Sequence, residues 1–392
     1  MFLAVLLLLS DVVIGQSEVI IRESPPPMLE MGAAGEIVEY LQRTLNARLK
    51  PSPRLSIDGD FGPNTRRAVE LFQISRNLGA TGRVDSGTWL ALGKLITKDD
   101  PIDDVQRFNR QRLPREPNDA LVGLPFLTCK AWVITDASTG EVLWGENYNK
   151  AIDIASTTKI MTAYLVLKYA ETHPQVLQEV ITFSKRADGT PGSTAGVRAD
   201  EKISVGELLY GLMLPSGNDA SVAFAEFFGG RLSGQEGSSA DESYDLFIGL
   251  MNAMAKQLGM NDSHYVKPHG LTAKGHLLSA SDLAKLADAA FDIPLFRQYV
   301  NTRQHATGVT TVDGPPRRLT WKNTNRLLGI AGYDGVKTGT TTAAGACLVS
   351  HGVRDGNELF IVVLGASGSS ARYADSRNLY RWAWNQLAQA KK

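Results

Sequence analysis

Three things are scarce in these 392 residues: cysteine, histidine and net charge. There are two cysteines and six histidines, with no Cys-x-x-Cys or His-x-x-x-His pair, so the spacing that marks a metal site is missing and no cofactor is implied. Lys+Arg and Asp+Glu both number 41, giving a formal net charge of zero. A chain with no basic excess lacks the electrostatic footprint of a nucleic-acid binder, and a polyanionic partner is not expected. Long apolar runs are also lacking. Phe2 to Leu9 is too short to span a bilayer, and no later stretch is long enough. No positive charge precedes that run and no cysteine lies near it. Val13 and Gly15 are nonetheless small enough for cleavage before Gln16, so residues 1–15 read as a signal peptide of an exported protein. What remains is ordinary globular composition, 43% hydrophobic and 21% charged, in a chain long enough for two or more domains.

The most informative stretch is Ala155-Ser156-Thr157-Thr158-Lys159-Ile160-Met161. If it is helical from Ser156 on, Ser156 and Lys159 share one face, with an amine one turn from a hydroxyl. Serine is a weak nucleophile until a base takes its proton, and a lysine kept neutral by burial or by a neighbouring cation can be that base. The apolar spacing that follows (Ile160, Met161, Tyr164, Leu165, Leu167) predicts a buried helix that holds the pair rigidly. A lone Ser-x-x-Lys is common, and its ordinary reading is a capping serine beside a solvated lysine. Two companions change that reading: Ser216-Gly217-Asn218 after an apolar helical run, and Lys337-Thr338-Gly339-Thr340 before a strand-like stretch. The three motifs, in this order, are those of penicillin-binding proteins and β-lactamases.

Ahead of them, residues 28–95 read as a separate module. Gly35 to Arg48 predicts a helix with Ile37, Val38, Leu41 and Leu45 inward; Asp58-Gly59-Asp60-Phe61-Gly62-Pro63 predicts a turn; Thr65 to Ser75 and Thr88 to Leu92 predict two more helices. Asp58 and Asp60 suit a turn better than a calcium loop, because the later ligands of such a loop are missing. The pattern of Leu41-Gln42, the Asp58–Pro63 turn, Phe72-Gln73, Gly82 and Thr88-Trp89 resembles the peptidoglycan-binding module of cell-wall hydrolases. Residues 96–120 are charged and carry prolines, and read as a linker.

Residues 121–392 read as one domain. A hairpin (Lys130 to Asp136, Glu141 to Trp144) precedes the Ser156 helix. Helices follow over Val205–Met213, Ala220–Phe228, Tyr244–Leu258 and Ser281–Ala290. Strands return at Tyr333–Thr338, Ala346–Ser350 and Leu359–Leu364. A last helix from about Ala374 to Leu387 is expected to bury Leu379, Trp382 and Ala383, with one of Trp382 and Trp384 in the core and the other partly exposed. Strands at both ends with helices between imply an α+β fold, one sheet built from both termini with a helical subdomain. With Ala137-Ser138-Thr139-Gly140, Gly192-Ser193-Thr194-Ala195-Gly196, Pro215 to Ala220 and Pro268-His269-Gly270-Leu271, this domain resembles the serine D-Ala-D-Ala carboxypeptidases, the low-molecular-mass penicillin-binding proteins, whose fold is the β-lactamase/transpeptidase type.

The resemblance implies roles. Ser156 is the nucleophile and Lys159 its base, kept neutral by a tight site and by Lys337. Ser216 relays a proton to the leaving amine. Asn218 steadies Lys159 and holds the substrate's side amide. The N–H groups of Ser156 and Thr340 form the oxyanion hole. Thr338, Gly339, Thr340 and Arg372 line the place of the substrate's terminal carboxylate. His269 is expected to be a structural loop residue. The family's sheet order puts the strands near Cys129 and Cys347 two spacings apart, roughly 9–10 Å, so both are expected to be free thiols. The implied partners are peptidoglycan stem peptides and glycan, with β-lactams as inhibitors. Three other functions stay open: a D,D-endopeptidase, a β-lactamase, and a non-catalytic wall-binding protein. No Glu-x-x-x-Asn loop of the kind that speeds β-lactamase deacylation occurs between Asn218 and Lys337, and the intact motif residues speak against a non-catalytic protein.

Overall fold

The computed structural model describes residues 28–93, 95–96, 123–311, 314 and 316–390. The expected signal peptide and nearly all of the expected linker lie outside them. The first module holds three helices, α1 (Glu36–Arg48), α2 (Pro63–Ser75) and α3 (Ser86–Leu92). Their apolar faces close on Val38, Leu41, Leu45, Phe61, Val69, Phe72, Trp89 and Leu92. Two glutamines fasten its turns. Gln42 Nε2 donates to Asp58 Oδ1 (2.7 Å) and to the Asp60 carbonyl (2.9 Å), while its Oε1 accepts from Gly59 N. Gln73 does the same for the second turn, donating to the Arg83 carbonyl and accepting from Gly82 N. Asp58 Oδ1 also accepts from Asp60 N, an Asx turn, which is the turn role expected of it.

The second domain begins with β1 (Ala131–Asp136) and β2 (Val142–Glu146). A single 3₁₀ turn, Ala155–Thr158, then runs into α4 (Lys159–Thr172). The helical subdomain follows: a short pair β3 (Val180–Thr182) and β4 (Lys202–Ser204) around α5 (Lys185–Asp188), then α6 (Val205–Met213), α7 (Asn218–Leu232) and α8 (Ala240–Gln257). Next come α9 (Ala280–Phe291), α10 (Pro294–Asn301) and a hairpin of β5 (Gln304–Val309) and β6 (Arg317–Lys322). The chain then returns to the sheet with β7 (Tyr333–Thr341), β8 (Gly345–Arg354) and β9 (Asn357–Ala366), and ends with α11 (Ala371–Ala390).

The sheet is antiparallel in the order β2-β1-β9-β8-β7, built from both ends of the domain. The period-two pattern of β9 explains how it is buried on both faces. Phe360, Val362 and Leu364 point into the main core with Ala131, Val133 and the residues of α4 and α9. Leu359, Ile361 and Val363 point the other way, onto Leu379, Tyr380, Ala383 and Trp384 of α11. Trp384, rather than Trp382, is therefore the buried tryptophan of that helix: four residues from Tyr380, it shares the helix face that packs on the sheet. Trp382 is half-buried, edge-on to Trp144. Cys129 and Cys347 are unpaired, as the separation of β1 from β8 by β9 requires. Helix α4 is apolar almost all round and lies in the middle of the core. It is thus a rigid mount for whatever its N-terminus carries.

Candidate active site

The expectation of a helix from Ser156 needs one correction. Ser156 sits in the 3₁₀ turn, and the α-helix starts at Lys159. A 3₁₀ turn has three residues per turn, so side chains at i and i+3 stand directly above one another. That brings Lys159 Nζ to 2.9 Å from Ser156 Oγ. The turn enters with Ala155 at φ +50°, and Gly270 covers it from the Pro268–Leu271 loop. A Cβ at Gly270 would stand 2.5 Å from the Ala155 carbonyl carbon and 2.7 Å from Thr158 Oγ1, so only glycine fits. On the other side Gly339 lets β7 come close: a Cβ there would lie 2.8 Å from Ser156 N. The glycine of the Lys-Thr-Gly motif thus sets the strand against the backbone of the expected nucleophile.

Lys159 is fully buried and has two further partners, Asn218 Oδ1 at 2.7 Å and the His269 carbonyl at 2.8 Å. Burial holds its pKa well below the ordinary lysine range, and the charge of Lys337 lowers it further, against the opposing pull of Asp219. A neutral Lys159 can donate its two N–H bonds to Asn218 and His269 and present its lone pair to the Ser156 hydroxyl, which is the form a base requires. Lys337 is also fully buried; burial first, and Arg372 second, push its pKa down to about 7.

Asn218 is held at both ends: its Oδ1 accepts from Lys159 and one N–H of its Nδ2 donates to the Pro191 carbonyl (2.7 Å), while the second N–H of Nδ2 is used by neither bond. Beside it, buried Asp219 gathers Thr194 Oγ1 and the N–H groups of Ala195, Gly196 and Ala220, and pins the Gly192–Gly196 loop. Ser216 is buried at φ +68°, and its Oγ has no hydrogen-bond partner among the described residues. His269 is buried with its ring Nδ1 accepting from Leu271 N, and burial pushes its pKa down to about 3. Its ring is structural, as expected; its carbonyl is a partner of Lys159 that the sequence did not reveal.

A cleft of about 630 Å³ opens over these residues and is lined by Ser156, Ser216, Thr338, Gly339, Thr340 and Arg372, among others. Arg372 Nη1 donates to Thr340 Oγ1 (2.8 Å) and to the Gly339 carbonyl (3.1 Å). Thr338 Oγ1 pairs with Thr324 Oγ1 at 2.7 Å. Thr324 is a second residue the sequence did not single out, because it lies in an irregular loop with no motif around it. Six of the nine residues expected at the site line this one cleft; Lys159 and Asn218 join it through the hydrogen bonds that link them to each other and Lys159 to Ser156, and Lys337 is buried in β7 beside Thr338.

Residues 120–368 match the model of the D-alanyl-D-alanine carboxypeptidase family. The chain belongs to that family. Residues 34–92 match the model of a putative peptidoglycan binding domain. Among curated relatives, D-alanyl-D-alanine carboxypeptidase DacC of Escherichia coli is 32% identical over 67% of this chain and 63% of its own length. The D-alanyl-D-alanine carboxypeptidase of Streptomyces sp. strain K15 is 33% identical over 63% of this chain and 84% of its own. The D-alanyl-D-alanine endopeptidase of Escherichia coli is 31% identical over 66% of this chain and 78% of its own. The chain thus spans just under two thirds of the length of DacC. The crystal structure of the Streptomyces K15 DD-transpeptidase superposes with a TM-score of 0.63, at 32% identity, over 67% of this chain and all of that one. Among the described residues no helix is long and apolar enough to cross a membrane.

Proposed function

We propose that this protein is a serine-type D-Ala-D-Ala carboxypeptidase that removes the terminal D-Ala from peptidoglycan stem pentapeptides, and that it works outside the cytoplasm where that polymer lies. The observation that carries the reading is the buried Lys159, its pKa held well below the ordinary lysine range by burial, with Nζ 2.9 Å from Ser156 Oγ and bonded also to Asn218 Oδ1 and the His269 carbonyl. Lys159 takes the Ser156 proton as Oγ attacks the carbonyl carbon of the penultimate residue. The N–H groups of Ser156 and Thr340 hold the oxyanion. Collapse breaks the peptide bond, and the leaving amine takes its proton by way of Ser216. Water then hydrolyses the ester and restores Ser156. The substrate carboxylate faces Thr338, Thr340 and the cations Arg372 and Lys337, a donor set suited to it. The module holds the enzyme on the wall polymer.

A β-lactam would be trapped at the ester. Intact-mass measurement after incubation with penicillin should show one adduct on the wild type and none on Ser156→Ala. Equal adducts on both would overturn the assignment of the nucleophile. The endopeptidase reading is kept open by the 31% identical relative of that name. Product analysis separates the two: release of D-Ala from a pentapeptide supports the carboxypeptidase, and cleavage of a cross-linked dimer alone supports the endopeptidase.

A further inference from the structure

The catalytic cleft is not walled by the catalytic domain alone. Glu39, Ile57 and Asp58 of the N-terminal module line the same cavity as Ser156, Ser216 and Arg372. The module is seated there by several kinds of contact. Ala34 is buried within the catalytic domain's core cluster, which also holds Ala195 and Val197. Lys322 Nζ lies 5.3 Å from the centre of the Tyr40 ring. Asp60, in the module's Asx turn, pairs with Arg198. Arg198 ends the loop whose earlier residues, Thr194 to Gly196, are gathered by Asp219 next to Asn218. The turn that Gln42 fastens is therefore held at the edge of the chemistry.

This gives the cleft a charge polarity. The β7 side carries Arg372, with Lys337 buried behind it. The module side carries two carboxylates. Glu39 is half-buried, with Arg43 3.9 Å away. Asp58 is exposed; its Oδ1 accepts from Gln42 and Asp60 N, and among the described residues no cation pairs with it. Ser216 lines the same cavity, with its Oγ buried and without a partner among the described residues. A substrate with a carboxylate at its C-terminus is drawn to the arginine and repelled by the acids. A substrate that also carries a protonated amine further back along the chain is favoured at both ends.

We infer that the module is a specificity wall of the active site, with Glu39 and Asp58 selecting peptides that bear a free amine on the acyl side of the scissile bond. Ile57 supplies the apolar surface against which the stem of such a side chain lies. The inference deepens the carboxypeptidase reading and rests on it. It assigns the module a part in substrate choice besides anchorage.

The test uses the full chain and two peptides, Nα-acetyl-Lys-D-Ala-D-Ala with its side-chain amine free and the same peptide with that amine acetylated. In the wild type kcat/KM should favour the free amine by roughly fivefold, the size of a partly exposed ion pair, and the preference should shrink in high salt. Glu39→Gln/Asp58→Asn should bring the ratio close to one. Asparagine keeps the Oδ1 acceptor of the turn, and Glu39→Gln alone, which leaves the turn's hydrogen bonds to Gln42 and Asp58 in place, should lower the ratio by itself. No preference in the wild type, or a preference that survives both variants, overturns the inference. Penicillin acylation of the wild-type serine reports separately on the catalytic reading. An adduct without an amine preference sinks this inference alone, whereas no adduct sinks the reading beneath it.

Discussion

The turns of the module and part of the catalytic centre differ in how their buried polar groups are satisfied. In the module, Gln42 and Gln73 are each 1% exposed, and each has both ends of its amide engaged by the turn it closes. In the catalytic centre, Lys337 is equally buried yet donates only to the Thr338 carbonyl, and Ser216 Oγ bonds to nothing among the described residues. Two non-glycine residues beside the reacting groups, Ala155 and Ser216, stand in the left-handed region. A satisfied buried amide fixes a turn, whereas an under-satisfied donor or acceptor is costly to keep unless a ligand uses it. The difference separates a part whose interior serves the fold from a part whose interior serves a reaction.

The largest effect should come from disturbing the close approach on which the centre depends. Gly270→Ala would push a methyl group into the Ala155 carbonyl and Thr158 Oγ1 at a φ of +87°. The turn carrying Ser156 would have to move, and the His269 carbonyl would leave Lys159. A displacement of about 1 Å at reacting atoms costs on the order of a hundredfold in rate. Penicillin acylation, followed by intact mass, should slow by at least that much. An unchanged rate would mean that the loop is not what seats the turn.

On the other side of the comparison, Gln42→Ala should act on stability and leave the chemistry in place. It strands Gly59 N and the Asp60 carbonyl and should cost the module about 1–3 kcal/mol. Retention of the protein on insoluble peptidoglycan should fall, while Ser156 should still be acylated by penicillin. If acylation were lost as well, the module and the centre would form one cooperative unit and the contrast between them would fail.

How much of this was legible beforehand follows from the same physics. Helix α6 was readable residue for residue, because apolar periodicity is strong from Val205 to Met213 and Ser204 caps it. The β5–β6 hairpin was missed: Gln304–Val309 has little strand character, and Arg317-Arg318 masks the alternation of Leu319 and Trp321, which are buried only by tertiary packing. Strands β3 and β4, three residues each, are too short to show a period. At the site, the motif residues were legible because chemistry fixes their identity. The His269 carbonyl was not, since any residue supplies a carbonyl. Thr324 was not, since one threonine in a loop carries no pattern. The place of Glu39 and Asp58 on the cleft rim depends on how two stretches distant in sequence meet, and no local signal encodes that.

The smallest change in stability is the sharpest test of the contrast, because it should go the opposite way to most substitutions. Ser216 is held at φ +68°, where an L-residue costs about 1 kcal/mol and glycine costs almost nothing. Its buried hydroxyl adds a desolvation cost of about 1–3 kcal/mol with no protein partner to offset it. Ser216→Gly removes both terms. It returns about 0.5–1 kcal/mol through the greater freedom of glycine in the unfolded chain. The balance is a gain of at least about 1 kcal/mol, which for a domain of this size raises the melting temperature by at least roughly 2–4 °C. Hydrolysis should fall by about a hundredfold or more, as for the loss of a positioned proton relay. Ser216→Ala separates the two causes, since it removes the hydroxyl and keeps the strained φ; its gain should be the smaller of the two. If neither variant melts higher than the wild type, Ser216 is not held under strain for the sake of the reaction, and the active centre is as well satisfied as the module.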